Sequence, residues 1–367
     1  MIKTNLPFQH PDQFNLCAAG DVHVGTDLKH GRESLIDAIY QSEFGGEDGG
    51  LPVNWDIMVD IGDLSGSQGP PVDLEGMEVI RQYSVLKKHK REQVYNILGN
   101  HDGSGEHEET QWWFQKCVDP LGENTEFSGF DASKRPFPIK GTWYNFKFDV
   151  WNILFLFMGD RNDGGPPVGR GVKGGYPAGA VTQETFDWWV EQVESNQDKI
   201  IVSIHHHMLK KTTVASGPWE GFVKNMNGNW KGRYHGYFPD GGPEGASYLY
   251  FVGAKPDAQA FENYLVENPG AIDFWFGGHT HTNPDDTYGG RGHVVQKWGV
   301  TFVNCAALSR FHGSLNIPMS KHVRFTEGSD EAEVRCYMHT SEFKPQGWYE
   351  SAQRQVNLRR PFVKREQ

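Results

Sequence analysis

Five short apolar runs of this chain end directly in side chains that can bind metal ions, and this pattern constrains the fold most. The side chains at the five ends are Asp21 with His23, Asp63, Asn100 with His101, the three histidines of 205–207, and His279 with His281. Side chains that follow parallel strands meet in the crevice outside the carboxyl ends of the sheet. We therefore expect residues from five distant segments to form one site.

Predicted strands alternate with predicted helices over much of the chain. Strands are predicted over 14–19, 55–61, 94–98, 200–204, 272–276 and 300–305, with antiparallel pairs of 142–148 with 151–158 and of 321–326 with 333–339. Helices are predicted around 35–40 and over 73–90, 183–195 and 258–267. Their apolar residues recur every three to four positions. The alternation is typical of βαβ units and of a sheet that is at least partly parallel.

The charge balance argues against a protein that coats nucleic acid. The chain has 367 residues, with 35 Lys and Arg against 47 Asp and Glu, and a formal net charge of −12. Broad binding to nucleic acid requires a basic surface that displaces counterions. The aromatic content of 13% opposes disorder, and the length allows one large domain or two. We expect no extended nucleic-acid surface.

The cysteines and the N-terminal segment indicate a cytoplasmic protein. The cysteines form no CxxC pair and are expected to be buried free thiols: Cys17, Cys117, Cys305 and Cys336. No run of 18 apolar residues occurs, so we expect no membrane partner. Residues 1–14 lack the apolar stretch of a signal peptide.

The ordered motifs resemble those of the calcineurin-like metallophosphoesterase superfamily. They are Asp21-x-His23, Gly62-Asp63, Gly99-Asn100-His101-Asp102, a strand-ending histidine and Gly278-His279-x-His281. Each motif alone is weak, but the ordered set is specific and spans most of the chain. The resemblance implies an α/β fold, a four-layer α/β/β/α sandwich of two facing mixed β-sheets flanked by helices.

The resemblance also implies a dinuclear metal centre. Three side chains would hold the first ion: Asp21, His23 and His281. Three would hold the second: Asn100, His206 and His279. Asp63 would bridge the ions, His101 would act beside the leaving group, and Asp102 would orient His101. Oxygen and imidazole ligands without thiolates suit Mn, Fe or Zn ions, and a pair of such ions can activate a bridging hydroxide for in-line attack.

The sequence departs from the family at two positions that affect this assignment. Met208 stands where the family often has the proline of His-x-Pro, which makes His206 the expected ligand. His205 and His207 stay open as alternatives. Because neighbouring strand residues face opposite sides, we expect either His206 or the pair of His205 and His207 to reach the rim, and not both. Gly66 stands where purple acid phosphatases have a tyrosine ligand, and the Asp-Arg-Gly motif of protein phosphatases is absent.

Several residues outside the motifs are candidates for substrate contact. The aromatic segment 208–255 is either a cap that selects the substrate, with Trp219 and Trp230 stacking on it, or a satellite core or oligomer contact. Arg170 lies in a G-x-G-x-x-G match at 169–174 that lacks a flanking strand and helix, so a loop is predicted there instead of a dinucleotide site. His293 and His312 follow the last motif and are candidates for contact either with the metal ligands, which they would support from behind, or with the substrate.

These observations predict a single domain over 1–367, with the cap insertion at about 208–255 and a β-rich part from about 298. The predicted function is a metal-dependent hydrolase of phosphoester bonds. Within this class we expect a phosphodiesterase with a small substrate resembling a cyclic nucleotide or a glycerophosphodiester. The alternatives are a phosphomonoesterase or a nuclease of the same fold, and, from another class, a catalytically silent protein-binding scaffold.

Overall fold

Two large mixed β-sheets face each other, and helices cover their outer sides. The computed structural model describes residues 11–46, 52–66, 71–103, 112–162, 178–218, 220, 222–224, 230–232, 247–253, 255–256, 258–313, 315–339 and 347–364. For 222–224, 230–232 and 256 only the backbone is described.

The strands and helices of the described residues are as follows, in chain order. The strands are β1 (Gln13–Ala19), β2 (Ile57–Asp60), β3 (Val94–Asn96), β4 (Lys140–Gly141), β5 (Asn145–Val150), β6 (Ile153–Met158), β7 (Ala180–Val181), β8 (Ile200–His205), β9 (Phe222–Lys224), β10 (Trp230–Gly232), β11 (Phe251–Val252), β12 (Lys255–Pro256), β13 (Phe274–Gly277), β14 (Val294–Lys297), β15 (Val300–Asn304), β16 (Met319–Thr326), β17 (Glu331–Met338), β18 (Gly347–Trp348) and β19 (Arg354–Asn357). The α-helices are α1 (Val24–Leu28), α2 (Ser34–Phe44), α3 (Asp73–Tyr83), α4 (Trp112–Cys117), α5 (Thr125–Ser128), α6 (Gln183–Ser195) and α7 (Ala260–Glu267).

Each large sheet contains a block of adjacent parallel strands. The first sheet has the order β18-β17-β16-β1-β2-β3, with β19 also paired to β17, and its strands β1, β2 and β3 are parallel. The second sheet has the order β14-β15-β13-β8-β6-β5-β4, and its strands β6, β8, β13 and β15 are parallel. The last strands of the chain thus complete the first sheet.

The layer between the sheets is apolar because alternate residues of each strand point into it. On β1, Leu16 and Ala18 belong to this central layer, whereas Cys17 and Ala19 belong to the layer beneath the helices. Strands buried on both faces are nearly continuous apolar runs in sequence. The ends of these strands can therefore be located in the sequence as the ends of apolar runs.

Helices cover both outer faces of the sheet pair. On the first sheet, α2 and α3 pack through a cluster that includes Leu35 and Val79. On the second sheet, α6 and α7 pack through a cluster that includes Trp189 and Phe261. The predicted four-layer α/β/β/α sandwich is therefore confirmed. Within the described part of the chain, no helix has the length and apolar character needed to cross a membrane.

Several predicted elements lie where the sequence placed them. The antiparallel pair of β5 and β6 has Asn145 opposite Met158. The helix α6 begins after Thr182, whose hydroxyl accepts a hydrogen bond from the backbone N–H of Thr185 at 3.0 Å. All four cysteines are buried free thiols, as predicted.

The helix predicted over 73–90 ends at Tyr83 instead. The carboxylate of Glu43, at the end of α2, accepts hydrogen bonds from the backbone N–H groups of Lys87, Lys88 and His89. These N–H groups therefore bind a side chain and do not continue a helix. Local periodicity could not reveal this contact, because Glu43 is 44 positions from Lys87.

Asp60 is a buried carboxylate at the end of β2, three residues before Asp63. Burial raises its pKa from 3.8 to about 7, although the Nδ2 group of Asn96 donates a hydrogen bond to it at 2.6 Å. An acid whose pKa is higher in the folded chain binds more protons there than in the unfolded chain. Its stabilising contribution is therefore complete below about pH 4 and is lost as the pH rises through about 7.

We predict that Asp60→Asn removes this pH dependence. Between pH 5 and pH 7, the free energy of unfolding of the unchanged protein should fall by about 2 kcal/mol more than that of the variant. Urea denaturation at the two pH values measures the difference. Asp187→Asn, on the exposed side of α6, is the control and should follow the unchanged protein. Identical curves for Asp60→Asn and the unchanged protein would contradict the prediction.

Candidate metal centre

The five strand-end segments come together where the parallel strands of both sheets end. Segments after β1, β2 and β3 of the first sheet meet segments after β8 and β13 of the second. The seven predicted ligands in these segments are Asp21, His23, Asp63, Asn100, His206, His279 and His281. All are buried except His279, which is partly exposed.

Two carboxylates lie among the imidazoles of this cluster. Oδ2 of Asp63 is 3.2 Å from Nε2 of His206 and 3.7 Å from Nε2 of His23. Oδ1 of Asp21 is 2.8 Å from Nε2 of His281 and 3.8 Å from Nε2 of His23. Asp63 therefore faces one imidazole from each predicted half of the centre, as a bridging ligand would.

Backbone carbonyl groups hold three imidazoles with Nε2 directed towards the carboxylates. The Nδ1 contacts are His23 with the oxygen of Ser65 at 2.7 Å, His206 with Ile61 at 2.8 Å, and His281 with His312 at 3.0 Å. A carbonyl oxygen only accepts hydrogen bonds, so the proton of each neutral imidazole lies on Nδ1. Each Nε2 then carries the lone pair that a metal ion requires.

The positions of these lone pairs fit a bound cation. Nε2 of His23 and Nε2 of His281 are only 3.1 Å apart, so two lone pairs would repel each other without positive charge beside them. Oδ1 of Asn100 is buried and has no hydrogen-bond partner among the described residues. Buried oxygens are almost always paired, and a metal ion would satisfy this one. The residues present therefore fit the metal ions that the motifs imply.

The electrostatics of the cluster also favour positive charge. Burial alone would lower the pKa of His206, but the carboxylates of Asp63 and Asp21 outweigh burial and raise this pKa to about 10. Burial would raise the pKa of Asp21, but His206 and His281 lower it below the usual range. Protons and metal ions would thus compete for the same atoms.

The backbone is strained at the predicted ligands. Five of the seven have a positive φ: Asp21 (52°), His23 (45°), Asp63 (60°), His279 (66°) and His281 (45°). This left-handed conformation costs a non-glycine residue roughly 1–2 kcal/mol. Such residues cluster at functional sites, where the surrounding structure holds them in place. Here they turn the chain sharply at each strand end.

The motif glycines leave room for the two carboxylates. A Cβ atom at Gly99 would overlap Oδ1 of Asp63, and one at Gly278 would overlap Oδ2 of Asp21. A side chain at either position would displace a predicted ligand. The close approach of two loops thus explains why glycine precedes Asn100 and His279 in the motifs.

His101 lies at the partly exposed edge of the cluster. Its backbone N–H donates a hydrogen bond to Oδ1 of Asp63 at 2.7 Å. Its ring meets the ring of His23 edge to face, with centroids 5.0 Å apart. The imidazole is therefore beside the predicted centre and more accessible than His23.

Asp102 holds the loops of the site, which corrects the role expected for it. Its carboxylate accepts hydrogen bonds from the backbone N–H groups of Asp63 at 2.9 Å, Ser65 at 3.0 Å and Gly99 at 2.9 Å. Burial and the nearby Asp63 raise the pKa of Asp102, and the N–H groups oppose the rise. Both carboxylate oxygens are engaged by backbone, so Asp102 positions the loop that carries His101 instead of orienting its ring.

Two of the three consecutive histidines reach the cluster. Ligand atoms of His206, His207 and His279 all lie within 4.8 Å of one another. His205 is the last residue of β8, and its Nδ1 accepts a hydrogen bond from the backbone N–H of His207 at 2.9 Å. Strand alternation ends at His205, so the expectation that His206 and His207 face opposite sides was wrong.

The predicted substrate contacts have different outcomes. His293 is buried, with Nε2 2.6 Å from Oγ1 of Thr282 and Nδ1 3.2 Å from the carbonyl oxygen of Pro284. Both ring nitrogens are used inside the protein, which contradicts a substrate contact. Arg170 and Trp219 lie outside the described residues, as does the side chain of Trp230 at the start of β10.

His312 lies against the predicted first-ion side. Its ring stacks on the ring of His23, with centroids 3.6 Å apart and planes 7° apart. It also meets the ring of His101 edge to face at 4.8 Å. Its Nδ1 lies 3.0 Å from Oγ1 of Thr26. His312 thus supports the orientation of His23 from a loop after the last motif.

Asp160 is the site residue that sequence reasoning missed. It follows β6 and lies 2.9 Å from Nδ1 of His207. The signal was present, because Gly159-Asp160 ends an apolar run as Gly62-Asp63 does. The strand-end rule, applied to β6 as well, would have found it.

The calcineurin-like phosphoesterase family model matches residues 14–283, which is most of the chain. No curated protein matches the chain by sequence.

Several solved structures resemble the fold at low sequence identity. GAP50, the anchor in the inner membrane complex of Plasmodium, is 8% identical with a TM-score of 0.48, over 95% of this chain and 90% of that one. A predicted phosphoesterase from Streptococcus pneumoniae TIGR4 is 8% identical with a TM-score of 0.33, over 94% and 98%. Vacuolar Protein Sorting 29 from Cryptosporidium parvum is 9% identical with a TM-score of 0.35, over 95% and 100%.

We predict that the strain at Asp63 is measurable by substitution. The free energy of unfolding of Asp63→Gly should be about 1 kcal/mol higher than that of Asp63→Ala, because glycine adopts a positive φ without steric cost. Both variants lose the carboxylate and should lose bound metal alike. Urea denaturation without metal, and elemental analysis after loading, measure the two effects.

The control pair is Asp187→Gly and Asp187→Ala on the exposed face of α6. There the order should reverse, because alanine is the better helix residue by about 1 kcal/mol. Equal stabilities of the two Asp63 variants would show that the backbone relaxes at this position.

Proposed function

This chain belongs to the calcineurin-like phosphoesterase family, and on that premise we propose that it is a metal-dependent phosphodiesterase with a small phosphodiester substrate. The observation that carries the proposal is the meeting of two carboxylates with imidazole Nε2 atoms from both sheets. Oδ2 of Asp63 lies 3.7 Å from His23 and 3.2 Å from His206, which follow β1 and β8.

The proposed centre would hold two divalent or trivalent ions of Mn, Fe or Zn. Asp21, His23 and His281 would hold the first ion, and Asn100, His206 and His279 would hold the second. Asp63 would serve both ions. When bound, such ions supply positive charge for the phosphoryl oxygens and lower the pKa of a water molecule towards neutrality.

The side chains of the centre suit an anionic substrate. Only Asp21 and Asp63 among the seven carry negative charge, because Asn100 contributes an amide oxygen and the rest are imidazoles. Two carboxylates leave a pair of divalent ions with net positive charge. The centre would therefore attract a phosphoester despite the net charge of −12 for the whole chain.

We assign the proton transfer to His101. Its backbone is tied to Asp63, and its partly exposed ring lies beside the cluster. An imidazole can donate a proton near neutral pH to the oxygen that leaves when a phosphoester bond breaks. His101 needs no place among the metal ligands to do this.

The preference for a diester is supported by Gly66. A Cβ atom at this position would lie 2.5 Å from the backbone nitrogen of Thr26. No side chain can project from this position, whereas purple acid phosphatases have a tyrosine ligand here. The chain also lacks the Asp-Arg-Gly motif of protein phosphatases.

The test compares bis-p-nitrophenyl phosphate with p-nitrophenyl phosphate after loading with Mn²⁺, Zn²⁺ or Fe²⁺. We expect a higher kcat/KM for the diester and two bound ions per chain by elemental analysis. A higher kcat/KM for the monoester would favour a phosphomonoesterase. Cleavage of long nucleic acid, assayed beside the two esters, would favour a nuclease. Fewer than one ion per chain after loading would overturn the enzyme proposal in favour of a scaffold.

We predict that His101→Ala retains both ions and loses turnover. Loss of a positioned proton donor lowers kcat by about 10²–10⁴-fold. Steady-state kinetics with the diester, beside elemental analysis, measures the two quantities. The control is His30→Ala, an exposed histidine that stacks on Phe311, and its kcat should equal that of the unchanged protein. An unaltered kcat in His101→Ala would remove His101 from the mechanism.

A further inference from the structure

His207 is a buried imidazole inside the candidate centre that has no assigned role. It lies just beyond the end of β8, and its ring centroid is 3.9 Å from that of His279 and 5.1 Å from that of His206. These two neighbours are the imidazoles assigned to the second ion. His207 therefore lies on the second-ion side.

Nε2 of His207 is unsatisfied. It is fully buried and has no hydrogen-bond partner among the described residues. A buried polar atom without a partner is destabilising, because it has lost its hydrogen bonds to water. Nε2 of His205 is also unpaired, but that ring is 5.8 Å from His207 and belongs to no group of converging ligand atoms in the described residues. His206 and His207 both combine an unpaired Nε2 with a place in a group of converging ligand atoms, but Nε2 of His206 already faces Oδ2 of Asp63 at 3.2 Å.

A buried carboxylate lies beside Nδ1, the other nitrogen of this ring. Nδ1 of His207 lies 2.9 Å from Oδ2 of Asp160, at ion-pair distance but off the line of a hydrogen bond. A carboxylate beside Nδ1 favours the proton there and leaves the lone pair on Nε2. Carboxylates in this position are typical partners of metal-binding histidines, and they strengthen the imidazole as a ligand.

Asp160 is itself held in place. Its carboxylate accepts hydrogen bonds from the backbone N–H of Asn162 at 3.0 Å and of Gly179 at 2.8 Å. The Nδ2 group of Asn162 donates to the carbonyl oxygen of Asn100 at 2.6 Å. Asp160 thus joins His207 of the second sheet to the loop of the first sheet that carries Asn100.

From these contacts we propose that His207 supplies an eighth ligand atom, Nε2, on the second-ion side, and that Asp160 is the positioning residue that directs it there. The inference rests on the proposed function, because it concerns the metal ions of that centre. His206 and His207 then act together, whereas the sequence favoured His206 as the ligand.

The test is metal affinity in the full chain without substrate. Mn²⁺ is titrated into metal-free protein and the free ion is measured by electron paramagnetic resonance. We expect two ions in the unchanged protein. His207→Phe should weaken one of the two binding steps by about 10–100-fold, and Asp160→Asn should weaken the same step by about tenfold. The control His205→Asn, which keeps an acceptor for the N–H of His207, should bind like the unchanged protein.

A double-variant cycle separates positioning from a general structural role. If Asp160 acts through His207, Asp160→Asn should have no further effect on affinity in the His207→Phe chain. A further tenfold loss in that chain would show that Asp160 acts through Asn162 and Gly179 and would overturn its assignment. Unaltered affinity in His207→Phe would overturn the eighth ligand.

A measurement on the unchanged protein covers the case in which a variant does not fold. With ¹⁵N-labelled histidine, bound Zn²⁺ shifts the Nε2 resonance of each imidazole that binds it. Five shifted imidazoles are expected: His23, His206, His207, His279 and His281. Four would overturn the inference while leaving the proposed function intact. No metal binding at all by the unchanged protein would overturn both.

Discussion

Two buried carboxylates, Asp21 and Asp63, organise this end of the molecule. Oδ2 of Asp21 accepts the backbone N–H of His279 at 2.9 Å, and Oδ1 of Asp63 accepts that of His101 at 2.7 Å. Their other oxygens face the imidazoles. Each carboxylate thus orders a neighbouring loop with one oxygen and presents the other to the centre. Buried carboxylates require compensating positive charge, and the imidazoles around them are placed to share it.

The backbone strain at the strand ends follows from the need to bring these side chains to the rim. A side chain that follows a strand reaches the rim only if the chain turns at once, and a left-handed residue makes that turn. Five of the seven predicted ligands adopt it. The apolar layers beneath, with residues such as Leu16 and Trp189, hold these turns in place. The sandwich therefore acts as a rigid support for a strained rim, as expected where function lies on loops.

Sequence reasoning succeeded where the signal was local and failed where it was not. The strands, α6 and the convergence of the seven predicted ligands follow from apolar runs and from the residue that ends each run. The early end of α3 depends on Glu43, a distant side chain. The loop-holding role of Asp102 and the burial of His293 depend on partners that no spacing rule contains.

The sequence by itself determined that strands alternate with helices and that polar, metal-capable residues end the predicted parallel strands, because strand periodicity and strand termination are local properties. The two facing sheets were what the resemblance to the family implied. The tertiary structure alone decided which atoms face the centre. Carbonyl groups from other loops select the tautomer of His23 and His281, and Asp160 comes to lie beside His207. These contacts join segments far apart in the chain, and their geometry exists only once both sheets have packed against each other.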